Sequence, residues 1–410
     1  MTQISQSHPA QTSSRTAGLL LITIIVMDLL VGMEFDLFVP SFPELQQVFQ
    51  LSPFWVEGLL SVNFMGLCLS LFLVGELGDR YGRRPIILLG LLTFILGSIL
   101  CLHAESYAAL MVGRFLQGVG VAAPAILSFL IIADAYPLKK QQTYMALLNG
   151  IMNTAIAIAP IIGSYVTLYF HWQGNFRALL ILGLLTLGMT LLFIPAKQAL
   201  APQEATSPGS YAQILRSKPL MLLIVGFVFS FVPYWIFVGM SPLLFMEDLG
   251  VPLAEFGYYQ GFLALVFAGG SLLSGLLIKH FDHQKMLYGS CILFCVSVMT
   301  LLLAGFLECR SPILIILAFL PFVLAQIIPS TILYPVCLNL LPQAKGRVSA
   351  LIQGGRLILA SLALQVAGYA YTGSFQEIAL IMACFIIPAA VTLLVLLKQK
   401  DLLQNLETPS

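Results

Sequence analysis

From residue 17 to residue 397 the chain returns twelve times to an apolar run of about 20 residues, the length a helix needs to cross the hydrocarbon of a bilayer. The runs fall at about 17–39, 55–76, 85–103, 107–131, 143–166, 178–195, 219–243, 255–279, 285–306, 312–339, 347–371 and 377–397. Inside lipid every backbone N–H and C=O must find its partner within the protein. The expected fold class is therefore all-α and integral to the membrane, with twelve transmembrane helices. Only 9% of the residues are charged, against about 25% in a soluble domain. The seven cysteines are scattered through apolar segments and form no metal-type or redox pair. A net charge of +1 gives no footprint for nucleic acid.

Charge placement sets an orientation. With both termini cytoplasmic, fifteen Lys and Arg lie in cytoplasmic segments, and only Arg177 and Arg310 lie in the loops opposite. Positive charge favours the inner side, so this bias selects that topology. Trp55 and Trp172 are expected at the outer interface, as part of an aromatic belt. The first residues lack the charged start and cleavage site of a signal peptide, so the first run is expected to be a retained anchor.

The stretch from Ala196 to Lys218 is polar and parts six runs from six. The expected organisation is an N-terminal cytoplasmic tail (1–16), a six-helix bundle (17–195), a cytoplasmic linker (196–218), a second six-helix bundle (219–397) and a C-terminal cytoplasmic tail (398–410). A shift of 200 residues lays Gly75 on Gly275 and the 79–85 loop on Lys279–Lys285. That is a degenerate parallel repeat. Only the first copy keeps Asp79, Arg83 and Arg84.

Ionisable groups in a membrane span mark function by default. The first run carries Asp28, Glu34 and Asp36. On the single helix expected here, Asp28 lies about 16 Å from the start, near the bilayer centre. Asp36 then falls about 80° from Asp28 and Glu34 about 120° away. Asp28 and Asp36 are thus the expected proton-coupling acids, with Glu34 a substrate-contact candidate. Arg114, in the fourth run, sits near the depth of Asp28 and needs a partner, for which Asp28 and Gln117 are the candidates. In the fifth run, Pro160 removes a backbone bond and Gly163 permits close helix approach, either for gating or for tight packing. Asn149 and Asn153 precede them on the same run, and Asn63 adds an amide in the second.

In the second half, Arg356 stands near mid-span with no mid-span acid to neutralise it, so it should face water, a cavity or a ligand. Gln353, Tyr234, Trp235, Tyr258, Gln326 and Tyr334 are candidates for the wall around it.

The loop Gly75-Glu-Leu-Gly-Asp79-Arg80-Tyr-Gly82-Arg83-Arg84-Pro85 resembles the signature between helices 2 and 3 of the major facilitator superfamily. Arg114-x-x-Gln117-Gly118 and the Pro160–Gly163 end of the fifth run resemble its drug:proton antiporter branch. Asp36 through Pro40 to Pro43 is similar to the Bcr/CflA group of multidrug transporters. The resemblance implies coupling roles for acids matching Asp28 and Asp36 and for Arg114. It also implies a gate in which Asp79, Arg83 and Arg84 meet Asp134 and latch the inner face against the eleventh helix; Gly75, Arg80 and Gly82, which supplies a tight turn, are gating candidates in the same loop. Two departures stand out: Ala155 and Ala159 replace glycines of the fifth-helix motif, and Arg356 stands where an uncharged polar residue is common.

The expected function is export of drug-like or amphipathic small molecules in exchange for protons, driven by the proton-motive force with no cofactor or metal. The setting is a bacterial inner membrane, the protein a monomer, its partners substrate, protons and lipid. The alternative is carriage of an anionic metabolite or carboxylate siderophore, with Arg356 touching it. A non-transporting sensor is more remote. No Ser-His-Asp, metal or nucleotide motif supports an enzyme.

Overall fold

The computed structural model describes residues 14–136, 138–195, 211–278, 280–341 and 345–398. The polar stretch 196–210, most of both tails, and Lys279 lie outside the described residues. Every described element is helical: α1 (Ser14–Glu34), a 3-10 turn (Val39–Ser41), α2 (Phe42–Phe49), α3 (Pro53–Tyr81), α4 (Arg83–Leu102), α5 (Tyr107–Ala135) and α6 (Leu138–Phe193) make the first half. The second half is α7 (Tyr211–Arg216), α8 (Lys218–Pro242), a π turn (Leu243–Asp248), α9 (Leu253–Leu277), α10 (His283–Phe306), α11 (Pro312–Ala325), α12 (Ile327–Asn339), α13 (Lys345–Ala370) and α14 (Phe375–Leu397).

Among the described residues, eleven helical stretches are long and apolar enough to cross a membrane. The sequence suggests twelve because the fifth stretch, Thr143–Phe193, holds two of its runs. At about 1.5 Å per residue its 51 residues exceed twice a bilayer core. His171 breaks it, with φ +60 and ψ −177. The fold is thus an all-helical membrane fold of eleven to twelve apolar helices.

The repeat is visible in helix starts. α3 and α9 begin at residues 53 and 253, and α4 and α10 at 83 and 283. Gly82 turns into α4 with φ +93, a value that glycine adopts freely. Its counterpart Asp282 instead caps α10, accepting the Lys285 N–H at 2.9 Å.

The halves meet along two seams, α3 against α13 and α6 against α9. We call the end bearing Gly82 the turn end and the opposite end, where Phe54 meets Gly368, the far end. In the first seam Ser61 and Ser361 exchange hydroxyl-to-carbonyl bonds of 3.0 and 3.1 Å, and the Gln365 amide donates to the Ser61 hydroxyl at 3.0 Å. In the second, a Cβ on Gly257 would stand 2.6 Å from the Pro160 carbonyl oxygen, so backbone touches backbone there.

Two expectations need correction. Trp172 is not an interfacial belt residue: it is buried between Phe49 and Phe176, at 5.5 and 6.0 Å, because the α6 corner folds it beneath α2. Trp55 is half exposed. The first run is also not one helix. α1 stops at Glu34, and Pro40 and Pro43 start new turns, since proline lacks the N–H a continuing helix needs.

Candidate functional site

The site is built where α1, α3, α4 and α5 converge. Glycines let them approach: a Cβ on Gly118 of α5 would strike the Asn63 carbonyl of α3, and one on Gly97 of α4 would stand 2.6 Å from the Gly113 carbonyl oxygen of α5. That closeness seats Arg114 entirely out of water. Its Nη1 donates to Glu34 Oε1 at 2.8 Å and to Gln117 Oε1 at 2.7 Å. Asn63 Nδ2 donates to the same Glu34 oxygen at 2.8 Å and to the Arg114 carbonyl at 2.9 Å. Gln117 Nε2 donates to Ser98 Oγ of α4 at 2.8 Å. The guanidinium lies 4.0 Å from the centre of the Phe38 ring, a cation–π contact in a dry site.

This arrangement corrects the expected pairing. Gln117 is a partner of Arg114, but Asp28 is not; the ion pair goes to Glu34. Asp28 sits six residues back along α1 beside Ser128, fourteen residues on from Arg114 along α5. At about 1.5 Å per residue, that places it well toward the turn end. Asp36 lies in the turn after α1, so the 100° wheel does not set its bearing. It approaches Glu34 and, from the second half, Tyr234. Asp28 and Asp36 are both buried; Asp28 has the Ser128 hydroxyl beside it, and among the described residues neither Asp36 oxygen has a hydrogen-bond partner.

Aromatic rings join the halves beside Asp36. Trp235 of α8 packs on Phe35 and Phe64 at 5.7 and 4.7 Å, with Phe231 and Tyr234 on its other sides. Among the described residues, its indole N–H and both amide atoms of buried Gln260 on α9 are without hydrogen-bond partners.

The second-half candidates divide into three places. Arg356 stands over Phe227 and Phe231, at 5.6 and 5.3 Å, and donates to Gln353 Oε1 at 3.1 Å. Among the described residues no carboxylate pairs with it. Tyr334 joins this group through Phe227 and a 3.1 Å contact with Ser349 Oγ. Tyr258 is elsewhere, its hydroxyl 2.8 Å from that of Tyr165 in the far-end seam. Gln326 lies at the junction of α11 and α12. Asn149 is exposed and donates to its own helix at Met145 O, and Asn153 is half-buried on α6.

At the turn end, Arg83 pairs with Asp79 at 2.5 Å, Arg84 Nη2 donates to Leu191 O of α6 at 2.7 Å, and Arg80 lies over Tyr81. Gly75 has open space around it. Asp134 is in the last turn of α5, and its side chain lies outside the described residues. Pro160 and Gly163 serve packing seams: Gly163 admits the Leu37 carbonyl, and Pro160 lies against Gly257. Among the described residues no three His, Cys, Asp or Glu side chains form a metal-binding group.

Sequence reasoning missed one acid. Glu57 of α3 is wholly buried, and among the described residues neither of its oxygens has a hydrogen-bond partner. It stands at the start of the second apolar run, where an acid looks solvated; only the docking of α8 and α13 hides it.

Helices of this length and hydropathy, arranged in a two-half repeat, define a multi-pass membrane protein. Residues 24–364 match the family model described as Major Facilitator Superfamily, and the chain belongs to that family. It is 27% identical over 281 residues to the multidrug resistance protein MdtL of Escherichia coli O81, spanning 68% of this chain and 72% of that one. The MdtL of Klebsiella pneumoniae strain 342 is 25% identical over 271 residues, 66% and 69% of the two chains. Among solved structures, a D-xylose–proton symporter aligns with TM-score 0.73 and 16% identity over 92% of this chain and 97% of its own. A bacterial homologue of the human lysosomal transporter Spinster, inward-facing and unoccupied, aligns with TM-score 0.74 and 15% identity over 97% and 100%.

Proposed function

We propose that this transporter exports drug-like, amphipathic small molecules in exchange for protons across a bacterial cytoplasmic membrane, with both termini inside. Two six-helix bundles, 17–195 and 219–397, rock about the seam between them. The observation that carries this is the division of the acids. Arg114 is taken by Glu34, which leaves Asp28 and Asp36 buried with no cation paired to them among the described residues. A carboxyl in that setting is held more readily with a proton than without one, so each can load a proton and give it up when water or a cationic substrate arrives. Asp36 is the better placed for competition, because Trp235 and Tyr234 of the other half stand beside it. A lipophilic cation fits such a wall through stacking and cation–π contact. The MdtL relatives carry a multidrug resistance name, which agrees with this reading.

A second reading has one observation in its favour. Arg356 is stacked on Phe227 and Phe231 with no carboxylate partner among the described residues, a place where a substrate carboxylate would bind.

Inverted vesicles carrying an imposed pH gradient test both readings. Tetraphenylphosphonium uptake should follow the gradient in the parent and lose that dependence in Asp36→Asn. Unchanged proton-driven uptake in Asp28→Asn and in Asp36→Asn would overturn the coupling assignment. Uptake of a citrate-type siderophore that is lost in Arg356→Gln would move the substrate class to anions.

A further inference from the structure

Glu57 occupies the far-end seam between the halves. A Cβ on Gly239 of α8 would meet Glu57 Oε2 and would stand 2.7 Å from Leu364 Cδ2 of α13. The carboxyl therefore fills the space that the missing side chain of Gly239 leaves. One turn further along α3, Ser61 makes the reciprocal bonds with Ser361 and receives Gln365. Three helices from both halves thus close over one acid.

Among the described residues, nothing around it balances a charge. The facing stretch of α8, Trp235–Ser241, and that of α13, Ser361–Gly368, hold no ionisable side chain. From α5, the Tyr107 phenol donates to the Trp55 carbonyl at 2.7 Å. On the α2 side, Glu44 is bonded to His171 and to the Trp172 N–H. Along α3 itself, the next polar side chains are Ser61 and Asn63, and Asn63 is committed to Glu34 and to the Arg114 carbonyl. An ionised carboxylate in such surroundings is strongly disfavoured, so this packing accepts the neutral acid. Separation of α3 from α8 and α13 would admit water and let the proton leave.

We propose that Glu57 is a proton-binding site that couples protonation to closure of the far end: the proton is bound while α3, α8 and α13 are together and is released when they part. This rests on the alternating-access reading above. It is separate from substrate coupling at Asp28 and Asp36, and its readout needs neither substrate nor transport.

The test is a distance measured against pH. Spin labels at Trp55→Cys and Tyr369→Cys, on exposed faces of the two halves at the far end, go into a background with the seven native cysteines replaced, reconstituted in lipid. With Glu57 intact, the ratio of short to long distances should fall as pH rises, by up to about tenfold per pH unit for one linked proton. In Glu57→Gln the short distance should persist across the range. Should Glu57→Gln fail to accumulate, Glu57→Met, close in volume and with no proton to lose, serves instead and should likewise hold the short distance. A response unchanged in either variant would overturn the proposal. Loss of drug transport with the distance response intact would count against the antiport reading alone.

Discussion

Arg114 on α5 reaches Glu34, the last residue of α1, at 2.8 Å, with both side chains wholly buried. The pair ties the start of the α1 turn to the body of the first half, and Asn63 and Gln117 hold its two ends. Removing one partner of a buried pair leaves the other charge stranded, at a cost of about 3–5 kcal/mol. Glu34→Ala should therefore lower the thermal unfolding temperature in detergent sharply, and Glu34→Gln less. Replacing Asp28 or Asp36 by Asn should change it little. Equal destabilisation by all of them would show that the ion pair is not special.

Helix approach at the site depends on Gly118. A methyl there collides with the Asn63 carbonyl of α3, and backbone cannot swing aside as a long side chain can. Gly118→Ala should destabilise by about 1–3 kcal/mol and loosen the Asn63–Glu34 bond. Gly150, with nothing within 4 Å, is the control, and Gly150→Ala should be neutral or slightly stabilising. Thermal unfolding of the two variants side by side checks this.

The corner at His171 combines φ +60 with an extended ψ of −177, a region that side chains other than glycine's enter at about 1–3 kcal/mol. What it loses on substitution is a 2.9 Å contact with Glu44 from an exposed imidazole, worth at most about 1 kcal/mol. His171→Gly should accordingly be neutral or stabilising, whereas His171→Val should destabilise. A marked loss of stability in His171→Gly would mean that the Glu44 contact outweighs the strain.

Arg356 has its guanidinium against the Phe227 and Phe231 rings and, among the described residues, only Gln353 as side-chain acceptor. Arg356→Gln should leave folding intact, since no described carboxylate is stranded by it. If anions bind here, the change should weaken them by about tenfold to a hundredfold, the value of one charge-assisted hydrogen bond, and leave lipophilic cations unaffected or improved. Binding measured on purified protein separates these outcomes.

Much of the fold was legible because lipid imposes it. Apolar run length dictated helices, and the shift of 200 residues reappears in the starts of α3 and α9, α4 and α10. The importance of Arg114 and its contact with Gln117 also followed from the cost of a buried cation. The choice among the acids did not. Periodicity presumes one straight helix, and the Phe35–Phe38 turn broke that presumption just where Glu34 and Asp36 had to be told apart. Glu57 was invisible for a different reason: its burial is created by two helices some 180 and 300 residues away in the chain. Trp172 failed likewise, since a sequence rule for interfaces has no knowledge of the corner that folds it inward.

The most direct measurement is of protons released when a lipophilic cation binds. Purified protein in weakly buffered detergent, with a pH indicator, receives tetraphenylphosphonium. The parent should acidify the medium on binding, Asp28→Asn/Asp36→Asn should bind without releasing protons, and Glu57→Gln should release them as the parent does. Proton release of parental size from the Asp28→Asn/Asp36→Asn protein would contradict the assignment of coupling to those two acids.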